Sequence, residues 1–362
     1  MRNPRPAPAL LPAAARSVQE LFDPLLPPPL LTMYLAGGTM LISRVIYIAA
    51  ELGLADLLAQ GPRDVDELAK ATETDPDSLF RVLRTLEALG LVTQDCERVF
   101  QNTPLALGLR SDVPGSMRAW VRYFGGAWHW HAFSQVLGPV KTGKTIPENS
   151  YGAGLFDFFA TSLEHAQRFD EAMTSISDGI NALLLSAYDF AGLRSVVDVG
   201  GGQGRLLAEI LRIRPEIQGT LFDRPEVIER ARRPGILADY ERAGRCQFVG
   251  GSLLESLPPA HDAYLFKEAL HHWKDPEVRQ ILEVTREAAG GPGKKILIME
   301  MCVDPIPENA LAGKLLDLLM LAMLGGRERT PREFKLLLSP AGFQMTRVIR
   351  TLPYTLIEGV SI

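Results

Sequence analysis

Residues 195–215 read SVVDVGGGQGRLLAEILRIRP. The opening SVVDVGG reads as a strand and GRLLAEILRIRP as a helix, with a glycine-rich turn between them. The same alternation continues outward. GTLFDRP (219–225), CQFVGGS (246–252) and KKILIME (294–300) read as strands. EVIERARR (226–233) and PEVRQILEVTREAA (276–289) read as helices, and DAYLFKEALHHW (262–273) as a strand running into a loop. Strands that alternate with helices imply an α/β fold with a Rossmann-like, doubly wound and mainly parallel sheet.

The glycine turn narrows the ligand. A dinucleotide fold would show GxGxxG here, but the spacing is Gly200-x-Gly202-x-Gly204, with Asp198 two residues ahead. The glycines let the backbone approach a ligand closely. Asp198 would repel a pyrophosphate and suits a ligand with a cationic end, as in S-adenosylmethionine, which has an ammonium, a sulfonium and no phosphate. Asp223 ends the second strand, 23 residues after Gly200, where an acid can accept hydrogen bonds from ribose hydroxyls.

Of six histidines, His271 and His272 are adjacent and follow a strand, which places them at the carboxyl edge of the sheet. A histidine there is a natural general base or a plain loop residue. His129 and His131 flank Trp130 at a spacing that does not suggest a metal site.

The flanking regions set the domain plan: a Pro-rich tail (1–29), an N-terminal domain (30–112) and a catalytic domain (113–362). The first 29 residues hold eight of the 26 prolines. The longest uncharged run, Leu25–Ser43, contains three prolines and two glycines, so no clean twenty-residue helix and no membrane span is expected. No targeting segment is read. Within 30–112, Val65–Ala71 reads as one helix. A second is capped by Asp75–Pro76, buries Leu79, Val82, Leu83, Leu86 and Leu89, and stops at Gly90. LVTQDCERVFQNT then reads as a hairpin, which completes a winged-helix-like order. Residues 51–110 carry 11 acidic and 6 basic side chains, a poor match to nucleic acid, and a structural or dimerisation role is favoured. Residues 113–190 form an aromatic-rich helical segment, which serves as core, as the wall of a pocket for a flat apolar ligand, or as both; residues 191–362 form the Rossmann-like part. Net charge is −5, and Cys96, Cys246 and Cys302 are too dispersed for a disulfide framework, consistent with a reducing cytoplasm.

Five motifs in order, VVDVGGGQG, FDRP, FKEALHHW, ILIME and GGRERTPREF followed by AGF, make the chain resemble the plant-type S-adenosylmethionine-dependent O-methyltransferases. This is the caffeate and hydroxyindole O-methyltransferase class, with its bacterial secondary-metabolite relatives. The resemblance implies His271 as base, with Glu300 and Glu328 flanking it. It implies Gly200, Asp223, Lys267 and Trp273 around the cofactor and Phe169 and Met173 at the acceptor; Asp198, Gly202, Ser252 and Leu253 are further expected around the cofactor, and Trp130 and His272 at the acceptor. It further implies a homodimer through the N-terminal domain, a small aromatic acceptor and no metal. Two residues depart from the pattern: His272 stands where the family usually has aspartate, and Ser252 where it usually has an acid. These changes keep open a relative that binds S-adenosylmethionine but catalyses a non-methylating reaction.

Overall fold

The computed structural model describes residues 27–95, 97–233, 235–303, 310–351 and 353–362, so most of the Pro-rich tail and Cys96 lie outside the described residues. The chain divides into two compact units, one ending at Gly125 and one running from Gly126 to Ile362.

The first unit opens with a continuous helical stretch: Pro28–Met33, a wide π-type turn Tyr34–Gly38, and Thr39–Leu52. This corrects the expectation that residues 25–43 could not hold a long helix. The prolines fall before or within the first turn, where a missing N–H costs nothing. Gly37 and Gly38 widen the ladder without breaking it. By length and apolar composition Pro29–Leu52 could cross a membrane, and 11% of its most apolar window is buried. Next come the helices Val65–Thr72 and Pro76–Ala88 and a small antiparallel sheet, β1 (Arg63–Asp64), β2 (Val92–Gln94) and β3 (Val99–Asn102), in the order β1-β3-β2. Asp75 caps the second helix, its Oδ1 accepting from the Ser78 N–H at 2.8 Å. Leu79, Leu83 and Leu86 are buried on the inner face, whereas Val82 and Leu89 are half-buried at its margin. The unit extends past residue 112 because the helix Arg118–Gly125 packs on Thr39–Leu52. Arg118 ties the two by donating to the Ala50 carbonyl (2.8 Å) and to Asp56 (2.6 Å).

The second unit is built on seven strands: β4 (Ser195–Val199), β5 (Gln218–Asp223), β6 (Cys246–Gly250), β7 (Ala263–Lys267), β8 (Lys295–Glu300), β9 (Phe343–Thr351) and β10 (Tyr354–Ser361). Their order is β6-β5-β4-β7-β8-β10-β9. The five strands from β4 to β8 run parallel, and β10 pairs antiparallel with both β8 and β9. Alternating side chains feed two cores. Val196, Leu221, Leu265 and Leu297 pack with the helices Leu163–Ala187 and Arg205–Ile213. Val197, Tyr264, Phe266 and Ile298 pack with the helices Asp275–Ala289 and Pro331–Leu338. The strand order reverses between β4 and β7, which opens a crevice at their carboxyl ends. Asp198, Asp223, Lys267 and Glu300 stand at or beside the carboxyl ends of four parallel strands around it.

Leu83 is fully buried in the first unit's core. Leu83→Ala is expected to cost about 2–5 kcal/mol of that unit's stability, read as a lower midpoint in urea denaturation.

Candidate active site

The glycine turn forms one end of the crevice. Gly200, Gly202 and Gly204 all have left-handed φ, between 57° and 75°, as the turn requires. At Gly201 the limit is space, since a Cβ would lie 2.5 Å from Leu221 Cδ1 and 2.6 Å from Asp198 Oδ2. The Asp223 carboxylate accepts from the N–H groups of Gly202 (2.9 Å) and Arg224 (2.7 Å). Asp198 is 1% exposed, and its Oδ2 has no partner among the described residues. Burial raises the pKa of Asp198 to about 7, with Lys267 opposing and Asp223 adding to the rise. Burial likewise raises Asp223 to about 6, against the two N–H donors. An orphaned buried carboxylate and a second one poised at a glycine turn fit a ligand with a cationic head and a ribose.

Lys267 Nζ donates to Ser177 Oγ at 2.8 Å, which ties the end of β7 to the long helix Leu163–Ala187. That helix also reaches the glycine turn, because Asp170 accepts from Gln203 (3.1 Å) and Arg230 (2.6 Å). Ser177, Asp170 and Arg230 carry no mark in the sequence, since nothing local distinguishes a polar residue on an amphipathic helix as a strut, and Gln203 lies in the glycine turn with no signal of its partner. Leu253 and Trp273 pack against the same core cluster. Ser252 Oγ accepts from the Leu254 N–H at 3.3 Å in the turn after β6.

At the other end, His271 lies on a short 3-10 turn, Leu270–His272. Its Nδ1 is 2.5 Å from Glu328 Oε1 and 3.4 Å from Glu300 Oε2. All three residues are at most 4% exposed. Their ligand atoms lie within 4.8 Å of one another, close enough for a cation, but His271 Nδ1 and Glu328 are within direct hydrogen-bond reach of each other. Burial opposes charge on the imidazole, but Glu300 and Glu328 outweigh it, and the His271 pKa rises well above the ordinary imidazole range. Burial pushes the Glu300 pKa up in turn. The pair of carboxylates assigns the ring proton to Nδ1 and leaves Nε2 as the nitrogen without a partner among the described residues.

The backbone around His271 is clamped from several sides. Glu300 Oε1 accepts from the N–H groups of Leu270 (2.9 Å) and His271 (3.3 Å). Arg329, 1% exposed, donates to the carbonyls of Leu270 (3.2 Å) and Trp273 (2.7 Å) and to Asp275 (2.8 Å). The Arg327 N–H donates to the His271 carbonyl at 2.9 Å. Gly326 lies so close to the turn that a Cβ would sit 2.0 Å from the His271 carbonyl oxygen. Arg329 and Gly326 belong to the GGRERTPREF stretch, which carries the only sequence signal that could have found them.

An aromatic wall faces the histidines. Phe156 meets the His272 ring at 5.2 Å, and His272 meets His271 at 4.5 Å. Phe169 contacts Phe156 (6.0 Å) and Phe159 (5.1 Å), with Met173 one helical turn further on. His272 is half-buried, and both burial and the neighbouring His271 charge push its pKa well down. Trp130 lies on the short helix Ala127–Phe133 and is 37% exposed. Trp128, on the same helix, stacks on Phe158 at 5.7 Å and meets Phe159 at 6.2 Å. A spacing of two residues turns the tryptophans to different sides of their short helix.

Comparison with known proteins identifies the family. Residues 133–344 match the O-methyltransferase domain family, and residues 33–110 match the O-methyltransferase dimerisation domain. The phenazine O-methyltransferase PhzM of Lysobacter antibioticus is 39% identical over 310 residues, 86% of this chain and 89% of its own. The solved structure of human N-acetylserotonin methyltransferase in complex with SAM superposes with a TM-score of 0.84 at 25% identity, over 94% of this chain and 99% of its own. Aclacinomycin 10-hydroxylase RdmB of Streptomyces purpurascens is 31% identical over 88% of this chain and 86% of its own.

Two outcomes follow from the site's packing and charge. Gly326→Ala is expected to displace the histidine turn, so that circular dichroism and melting remain near wild type while catalytic turnover collapses; unchanged turnover would contradict the packing. Asp198 and Asp223 take up protons below pH values of about 7 and 6 in the ligand-free chain. Because these acids are raised, they favour the fold most at low pH, and that contribution is lost as pH rises through those values. An ammonium beside Asp198 reverses its preference. S-adenosylhomocysteine, a zwitterion whose ammonium end supplies that charge, is therefore expected to bind more tightly at pH 8 than at pH 6 with proton release, measured calorimetrically in two buffers of different ionisation enthalpy. Equal affinity at both pH values would refute the coupling.

Proposed function

The chain belongs to the S-adenosylmethionine-dependent O-methyltransferases, and from that membership we propose that it methylates a phenolic hydroxyl of a flat aromatic secondary metabolite, with His271 as general base. In this reading Asp198, Gly200, Gly202 and Lys267 hold the amino-acid end of the cofactor and Asp223 its ribose. Ser252, Leu253 and Trp273 surround its adenine. S-adenosylmethionine supplies a methyl group already made electrophilic by its sulfonium.

The protein's task is then placement and proton removal. The wall of Phe156, Phe169, Met173 and His272 holds the acceptor ring so that its oxygen faces the methyl, a positioning effect that can supply up to roughly 7–11 kcal/mol. A phenol has a pKa of about 10 and is mostly protonated at neutral pH. His271 Nε2 accepts that proton, while Glu328 and Glu300 stabilise the imidazolium through Nδ1. The observation that carries the reading is the 2.5 Å contact between His271 Nδ1 and Glu328, which commits one nitrogen and frees the other. Because the carboxylates favour the cation, the rate should rise with pH through a limb above the ordinary imidazole value of about 6.5.

The first unit pairs two copies in this reading. Its helical entry exposes Met33 (55%), Met40 (49%) and Leu41 (61%), apolar surface of the kind a partner subunit covers. A second reading, a non-methylating reaction in the same pocket, is favoured by the similarity to a hydroxylase and by His272 beside the base.

Labelled S-adenosylmethionine and a panel of phenolic acceptors separate the two readings. Methyl transfer supports the first, and cofactor uptake without transfer to any acceptor supports the second. His271→Ala is expected to lower turnover by about 10²–10⁴-fold while S-adenosylhomocysteine binds as in wild type. Near wild-type turnover would remove His271 as the base.

A further inference from the structure

Glu268 sits between Lys267, at the end of β7, and the turn that carries His271. Its φ is 50°, one of four left-handed values at non-glycine positions among the described residues. Such a conformation crowds a side chain's Cβ and persists only where the surroundings impose it. The surroundings here are specific. The Glu268 N–H donates to the Met299 carbonyl at 2.9 Å, and its Oε1 accepts from the Tyr354 hydroxyl at 2.7 Å. Tyr354 is buried at the first position of β10, and the next residue, Thr355, pairs with Glu300. One strand end therefore anchors both the carboxylate that starts the turn and the carboxylate that receives its N–H groups. The Glu268 charge also reaches the imidazole, where it acts in the same direction as Glu300 and Glu328.

We propose that Glu268, pinned by Tyr354, is a positioning residue for His271, fixing the turn that presents the imidazole and adding a third carboxylate to its surroundings. The proposal rests on the reading of His271 as base. The charged and titratable groups around the imidazole come from several elements. Glu300 ends β8, Glu328 precedes the helix Pro331–Leu338, and Tyr354 opens β10. Lys267 and His272 lie on the same segment as His271. Asp317 accepts from the Glu328 N–H at 2.8 Å, and Arg329 with Asp275 closes the carbonyl side of the turn. Substituting Glu268 changes the charge without removing any hydrogen bond to Nδ1 or to the turn's N–H groups.

The test uses the full-length protein carrying ¹³C-labelled histidine and saturated with S-adenosylhomocysteine. The ring signal of His271 is assigned by its loss in His271→Asn. Glu268→Gln keeps an acceptor for Tyr354 and removes the charge, so the His271 titration should move to lower pH by about half a unit to one unit. The alkaline-rising limb of turnover should move with it. Tyr354→Phe keeps the charge but releases it toward solvent, and should give a smaller shift in the same direction with a loss of kcat at little change in KM. An unmoved titration in Glu268→Gln that still binds S-adenosylhomocysteine overturns the proposal, and so does an unmoved titration in Tyr354→Phe. Should His271→Ala keep full turnover, the base assignment fails instead, whatever the titration shows.

Discussion

An imidazole buried between two carboxylates is the interaction on which the second unit's chemistry depends. His271, Glu300 and Glu328 are nearly inaccessible to water, and removing one partner from such a group leaves a buried charge uncompensated. Two negative charges face one possible positive charge, so the cluster retains protons that isolated side chains would lose. That costs stability and gives basicity, because the carboxylates that stabilise the His271 cation are in place before any acceptor arrives. The surrounding structure holds the arrangement in place. Arg329 satisfies the turn's carbonyls, Glu300 its N–H groups, and Gly326 leaves room for the chain to pass.

The other end of the crevice uses the same physics with a different outcome. Asp198 is also a buried acid with a raised pKa, and its Oδ2 has no partner among the described residues, whereas the half-buried Asp223 accepts from two backbone N–H groups. A buried oxygen left open makes Asp198 receptive to a charged ligand, whereas burial with a histidine makes the opposite end self-contained. The parallel strands put both ends on one rim. β4 and β5 deliver the two aspartates, β7 delivers Lys267 and the histidine turn, and β8 delivers Glu300. The long helix Leu163–Ala187 links the two ends, meeting Lys267 through Ser177 and the glycine turn through Asp170.

Much of this was legible along the chain because the relevant signals are local. Strand and helix periodicity, the glycine spacing, the Asp75–Pro76 cap and the adjacent histidines each lie within a dozen residues. Where the reading went astray, a local rule met a longer context. Prolines and glycines in residues 25–43 argued against a helix, yet they fall where a helix tolerates them. The antiparallel β9–β10 hairpin carried no motif that marked it, and it supplies Tyr354.

By itself, the sequence determined the alternating α/β order, the winged-helix-like first unit, and the glycine turn with its acids, because each is written in consecutive or regularly spaced residues, whereas Glu300 and Glu328 entered only through the family resemblance. Only the tertiary structure decided which nitrogen of His271 is committed, which arginine and glycine clamp its turn, and that Glu268 and Tyr354 meet. Those contacts join residues 29 to 86 positions apart, and no local preference encodes a distance that arises only when separate strands are laid side by side.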